Sequence, residues 1–388
     1  MAKTLMAVDA GTGSVRAVLF SLEGEQLGCV QQEWTHREDP RYPGSMDFDW
    51  VHNWELARGC IRGVIEQTGV DPHDIAAVST TCMREGIVLY DKDGQEIWAC
   101  ANVDARSDDE VAQLVHMNPE LEKQIYRESG QTYALGALPR LFWVKNKMPE
   151  VYEKTAMCTM FNDWLIYKMT GVFSSEPSNA CTTGIFDLKA RDWDDQIAAS
   201  IGLKTGIFPK ISECGTVVAQ VGAKGAAETG LAEGTPVVAG GGDAQLGCVG
   251  VGVVDANQAA IFGGSFWQYE YNTDEAKTDE HCRVRVNCHS VPGIWQYEAL
   301  AFKPGMVMRW YRDAFCQYEK ELSKTTGRDP YDLMNEKAKD IPAGCYGMMC
   351  AFSDVMNYIS WRHASPMFIN FDFDPDKFNR YTFYRAIM

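Results

Sequence analysis

The chain has 388 residues, 46% of them hydrophobic and 11% aromatic, enough apolar material for two ordinary cores rather than one. A formal charge of −17 repels polyanions, which argues against nucleic acid or an anionic membrane surface as a partner and leaves any phosphate to local groups. The 13 cysteines include no C-x-x-C pair and read as reduced thiols of a cytoplasmic protein. The N-terminus carries no basic-then-apolar leader, and the apolar stretch 236–254 is broken by six glycines, a poor membrane span.

Three β-rich runs, 4–8, 15–20 and 27–33, open the chain and are spaced as a β-meander. Trp50, Trp54, Ala57, Ile61 and Val64 then recur at helical spacing, with Asp49 as N-cap and Gly69 as the stop. A strand is expected at 75–81, and 86–90 with 96–100 flank Asp91-Lys92-Asp93-Gly94 as a hairpin. Helical periodicity dominates from about 107 to 170, where Trp143 and Trp164 read as core. A buried strand is expected at 235–240. Beyond Val254 the organisation restarts, with strands at 258–262 and 265–271 around a glycine turn and a helix at 299–315. This second strand–turn–strand echoes the first and sets a domain boundary between 1–254 and 255–388. The final run, 378–388, reads as the start of a helix without a cap, as in a fragment.

Two glycine-bearing segments carry the chemistry. Asp9-Ala10-Gly11-Thr12-Gly13-Ser14-Val15-Arg16 joins two strands. Its glycines let backbone N–H groups approach an anion, Thr12 and Ser14 add hydroxyls, and Asp9 can orient hydrated Mg²⁺. A hairpin turn that needs glycine and nothing more is the plain alternative. No G-x-x-x-x-G-K-[ST] or G-x-G-x-x-G motif is present, so a P-loop or Rossmann site is not expected. In Gly240-Gly241-Gly242-Asp243 an aspartate follows a strand and opens a helix. It reads either as a simple N-cap or as a base kept ionised by the helix N-terminus. An anion turn and a base in one chain imply phosphoryl transfer to a small hydroxyl compound.

Arg84-Glu85 lies just past a strand end, where α/β folds present ligand groups, although an exposed charge pair is the plain reading. Asp104 and Arg106 fit either a ligand contact or an ion pair closing their loop. His281-Cys282 and Cys288-His289 have metal-ligand chemistry, but their spacing fits no common zinc module and Arg283 and Arg285 intervene.

Taken in order, these segments resemble the FGGY carbohydrate kinases from Leu5 to about Ala386. The turn at Asp9–Arg16 is similar to the family's first phosphate motif, and Cys82-Met83-Arg84-Glu85-Gly86 to its sugar-binding pair. Ala101-Asn102-Val103-Asp104-Ala105-Arg106 resembles the W-x-D-x-R loop as found in the branch acting on autoinducer-2, with Asn102 where an aromatic is usual. Segments 161–165 and 178–184 match as well. Gly240 to Gly247 resembles the stretch bearing the catalytic aspartate, which places that role on Asp243 and a substrate contact on Gln245. Gly263-Gly264-Ser265-Phe266-Trp267 is similar to the second phosphate motif.

The resemblance implies two ribonuclease-H-like α/β domains, as in actin and Hsp70, the second incomplete because the family's C-terminal adenosine motif is not among these residues. It implies ATP and Mg²⁺, with phosphate or nucleotide contacts from Gly11, Thr12, Gly13, Ser14, Arg16, Gly264, Ser265, Gly305 and Arg309. Arg84, Glu85, Asp104 and Gln245 would hold the acceptor, which in that branch is linear autoinducer-2, 4,5-dihydroxy-2,3-pentanedione. A kinase of another sugar or polyol, a ligand-binding pseudokinase fragment and an actin- or Hsp70-like assembly ATPase stand as alternatives. The Arg84-Glu85 pair favours the kinase, because an assembly ATPase has no use for a sugar-binding pair.

Overall fold

The computed structural model describes residues 3–133, 136–263, 267–301, 304–351 and 367–388. The chain packs as two units. The first takes Met1–Ala259 and Glu270–Glu298; the second takes Ala260–Tyr269 and most of the chain after Glu298. Glu270–Glu298, placed after the boundary by sequence, thus packs with the first unit.

The expected meander is present as β1 (Thr4–Ala10), β2 (Ser14–Ser21) and β3 (Gln26–Glu33). Alternate residues of β1 and β2 are buried, as period-two strands require: Met6, Val8 and Ala10, then Val15, Ala17 and Leu19. The helix Trp50–Thr68 is capped by Asp49, which accepts from His52 N at 3.0 Å, and is stopped by Gly69 at φ 65°. It sends Ala57, Ile61 and Val64 into the same core. Each aliphatic side chain fully buried there stabilises the fold by ~1.5–3 kcal/mol.

β4 (Ile75–Cys82) runs parallel to β1. The hairpin is β5 (Ile87–Tyr90) with β6 (Glu96–Cys100), and β7 (Met157–Thr159) joins its other side. This short strand interrupts the stretch expected to be helical. β8 (Phe186–Asp187) and β9 (Asp192–Trp193) form a small ladder. β10 (Val217–Gln220) and β11 (Pro236–Gly242) complete a six-stranded sheet of order β10-β11-β4-β1-β2-β3. An antiparallel meander continued by the parallel strands β4 and β11 is the ribonuclease-H-like arrangement. Gly240 is obligatory in it, since a Cβ there would lie 1.5 Å from the Thr80 carbonyl oxygen of β4.

The second pair of strands is β12 (Ala259–Gly263) and β13 (Trp267–Thr273). β14 (Arg285–Cys288) and β15 (Trp295–Ala301) come next, antiparallel to each other, with β13 beside β15. The helix expected from 299 starts only at Pro304, because Trp295–Ala301 is committed to the sheet. In the second unit the helices Pro304–Phe315, Pro330–Ala338 and Arg380–Ile387 share a small core of Val307, Tyr311, Met334, Tyr384 and Ile387. β16 (Met349–Ala351) and β17 (Met367–Ile369) form a ladder there. The last helix does have a cap, as the Asn379 side chain accepts from Tyr381 N. All 13 cysteines are free thiols, nine of them buried. Among the described residues no helix is long and apolar enough to cross a membrane.

Candidate functional site

The turn between β1 and β2 is held from one side. Trp34 Nε1 donates to the carbonyls of Gly11 at 2.9 Å and Thr12 at 3.2 Å, and His36 Nε2 donates to that of Thr12 at 2.7 Å. Burial lowers the His36 pKa, which keeps the ring neutral with its proton on Nε2. Peptide units are planar and trans, so tying these carbonyls back turns the N–H groups of Thr12 and Gly13 the opposite way. A Cβ on Gly13 would meet nothing within 4 Å, so this side of the turn is open. Asn102 Nδ2 donates to Thr12 Oγ1 at 3.0 Å and ties the loop 101–106 to the turn. Arg16, expected to face a phosphate, is instead committed to Asp9 across the strand pair, with Nε 2.8 Å from Oδ2. Burial raises the Asp9 pKa against the pull of Arg16.

The register of the sheet carries this turn toward the second motif. Asp9 pairs with Thr81 and Thr81 with Gly241, so Asp9 and Gly241 stand two strands apart on one edge. At ~4.8 Å per strand, that is about 10 Å. Asp243 is not the N-cap, which is Gly242, but the first helical residue of Asp243–Gly250, its Oδ1 accepting from Ala244 N at 2.8 Å. About half of its side-chain surface (47%) is open. Loss of hydration pushes its pKa up to about 6 against the pull of Arg84, with Glu85 and Asp9 adding to the rise.

Arg84 and Glu85 are no exposed pair; both are buried. Arg84 places Nε 3.5 Å from Asp243 Oδ1 and Nη1 against Glu298 Oε2. Glu85 adopts φ 66°, a left-handed conformation that side chains rarely take, and its carboxylate meets Arg285 Nη2 at 2.9 Å. Arg285 also reaches Glu298 at 3.2 Å and donates to Gln131 Oε1 at 2.7 Å. Arg140, only 1% exposed, donates to the backbone carbonyls of Glu85, Asn102 and Asp104 and so fixes both acceptor-side loops.

Gln245 is wholly buried two residues beyond Asp243, and neither atom of its amide has a partner among the described residues. A buried, unpaired amide is left with a donor and an acceptor that a ligand hydroxyl can satisfy. Asp104 stands differently. Its oxygens are spent on Arg106 at 2.6–3.0 Å and on Met46 N at 2.6 Å, so it closes its loop and offers no free acceptor. Arg106 in turn lies over the rings of Trp98 and Trp143. Gly305 and an exposed Arg309 lie on the helix Pro304–Phe315 of the second unit, while Gly264 and Ser265 fall outside the described residues. Cys288 and His289 are buried, and among the described residues no group of three or more side chains is gathered as for a metal.

Sequence reasoning missed Trp34, His36, Arg140, Arg285 and Glu298. The assembled groups can hold an anion at the turn, orient a hydroxyl compound through Arg84, Glu85 and Gln245, and take up a proton at Asp243. The donor set also suits a hydrated divalent cation. Arg16 occupies Oδ2 of Asp9, and Asp9 and Asp243 repel each other, a repulsion that a cation relieves.

Comparison with known proteins gives the same reading. The profile of the FGGY family of carbohydrate kinases, N-terminal domain, matches residues 4–250. An autoinducer-2 kinase of Klebsiella pneumoniae is 47% identical over 384 residues, 99% of this chain and 72% of that protein. An autoinducer-2 kinase of Yersinia enterocolitica is 48% identical over 99% of this chain and 73% of its own length. In fold, the chain superposes on a xylulose kinase of Rhodospirillum rubrum with a TM-score of 0.84 at 22% identity, covering 99% of this chain and 76% of that one. A glycerol kinase of Plasmodium falciparum with ADP gives 0.82 at 17% identity, covering 100% and 76%. On the profile match and these relatives, the chain belongs to the FGGY family of carbohydrate kinases.

Proposed function

We propose that this protein transfers the γ-phosphoryl group of ATP to the terminal hydroxyl of linear autoinducer-2, 4,5-dihydroxy-2,3-pentanedione. One observation carries the reading: Gly241, two residues before Asp243, stands about two strand spacings (~10 Å) from Asp9 at the anion turn, and Asp243 itself is in contact with the buried Arg84. The choice of acceptor rests on relatives 47–48% identical to this chain.

In this reading the N–H groups of Thr12 and Gly13 and the hydroxyl of Ser14 cradle phosphate oxygens, together with Gly11; a phosphate role for Gly264 and Ser265 rests on the family resemblance alone. Gly305 and Arg309 serve the nucleotide. Arg84, Glu85 and Gln245 orient the acceptor. As its hydroxyl oxygen bonds to the γ-phosphorus, the bond to the bridging oxygen of ADP breaks and the hydroxyl proton passes to Asp243. Alignment and neutralised charge matter more than base strength in so loose a transition state. Mg²⁺, held through water by Asp9, supplies charge neutralisation on the phosphates when bound.

Coupled ADP release with and without the acceptor, beside a panel of sugars and polyols, tests the reading. Turnover that depends on autoinducer-2 supports it. Binding without turnover would mark a pseudokinase, and hydrolysis indifferent to acceptor an assembly ATPase.

Two milder substitutions separate the ends of the site. Gln245→Leu raises the acceptor KM about tenfold without lowering Tm, since an unpaired buried amide costs ~1–3 kcal/mol that leucine does not. Initial rates and thermal unfolding read the two effects. Trp34→Phe removes the donor to the Gly11 and Thr12 carbonyls and raises the KM for ATP by roughly threefold to tenfold, leaving the acceptor KM unchanged.

A further inference from the structure

Glu270, on β13, is wholly buried, and neither of its oxygens meets a donor among the described residues. The polar group beside it is a second carboxylate, Glu298 on the neighbouring strand β15: each glutamate stands two residues from one of the amides Asn272 and Gln296, which bond to each other across these strands at 3.1 Å. Two carboxylates so placed can bond to each other only through a proton. The charges around them say which one carries it. Glu298 lies against Arg84 and 3.2 Å from Arg285, and Asn287 Nδ2 approaches it at 3.4 Å. Glu85 and Asp243 complete a set in which two guanidinium groups already answer three carboxylates. A fourth ionised carboxylate, fully desolvated and with no cation of its own, would be uncompensated. Gln296 and Asn272 nearby are neutral, and their amides are bonded to each other at 3.1 Å.

We propose that Glu270 is a permanently protonated positioning residue for the acceptor arginine. Its carboxyl O–H donates to Glu298 and fixes that carboxylate between Arg84 and Arg285, which sets Arg84 beside Asp243. The neutrality of Glu270 is what leaves Glu298 its full charge for the two arginines. Burial and the charge of Glu298 both hold the proton on Glu270, while the two arginines hold Glu298 below the ordinary carboxylate range. Only the kinetic consequence rests on the kinase reading; the protonation state stands apart from it.

The test uses the whole chain and two readouts. In the infrared spectrum at pH 8, the difference between wild type and Glu270→Gln contains the C=O stretch of a protonated carboxylic acid, lost in the variant. Its absence would overturn the proposal even if no turnover were found in any form of the protein. In kinetics, Glu270→Leu keeps the bulk but removes the donor, and raises the acceptor KM about tenfold with the KM for ATP unchanged. Glu270→Gln, whose amide N–H can donate to Glu298, restores it to within about threefold of wild type. Wild-type kinetics in Glu270→Leu, or a loss in Glu270→Gln equal to that in Glu270→Leu, would overturn the positioning role.

Discussion

Asp243→Asn lowers kcat by ~10²-fold or more while the acceptor KM changes by less than about threefold. The substitution keeps the shape and removes the proton acceptor, so binding survives and transfer does not. Steady-state rates of ADP release read both constants, and unaltered turnover would reject the base. The pKa of about 6 adds a second signature. The ionised form is the acceptor, so kcat/KM in the wild type rises with pH through about 6 and then levels. The same shift has a consequence for stability. An unfolded aspartate loses its proton near pH ~4; in the fold Asp243 keeps it to about 6. The folded state therefore binds more protons between those values, and the contribution of this group to stability declines as pH rises through them. Asparagine carries no such penalty. Asp243→Asn thus raises Tm relative to wild type at pH 8, and the gain vanishes below pH ~4.

Arg84→Met lowers kcat/KM for the acceptor by ~10²–10³-fold and destabilises the fold by ~3–5 kcal/mol. The second effect arises because Glu298, fully buried, loses one of its two guanidinium partners, and Asp243 loses the guanidinium beside it. These two losses can be separated. In Arg84→Met/Glu298→Met the buried pair is replaced by apolar side chains of similar length, a change that is often neutral or stabilising. The double variant therefore recovers most of the Tm and none of the turnover. Recovery of both would show Arg84 to be a structural ion only, and recovery of neither would show that Glu298 supports the fold by contacts other than this pair. Guanidine denaturation and acceptor saturation curves make the comparison.

Much of this was legible in the sequence. β-rich runs at meander spacing gave the first three strands, and the cap–stop pair Asp49 and Gly69 bounded the first helix, because these signals are local. The turn and Asp243 were legible for the same reason: glycine where backbone crowds or must approach an anion, and an acid at a strand end. What could not be read was the company these residues keep. Arg84 and Glu85 could be read as ligand groups or as an exposed pair, but not as part of a buried ion network, because their partners Glu298 and Arg285 come about 200 residues later on strands packed into the same unit. Ion pairs across such a separation leave no periodicity. Glu85 at φ 66° and the Trp34 and His36 tethers are likewise products of tertiary packing. The helix start at Pro304 was missed for a simpler reason: the apolar run before it fits both periods, and only pairing with β14 decides for strand.

The scatter of sealed thiols gives each unit its own clock. Cys60, Cys82, Cys158 and Cys181 lie buried in the first unit, and Cys316 and Cys345 in the second. A thiol of this kind is out of reach of reagent until its surroundings open. Pulsed alkylation with subsequent peptide mass mapping then times the release of each unit separately. A common time course would show one cooperative block, and early capture of Cys316 and Cys345 would show the second unit letting go first.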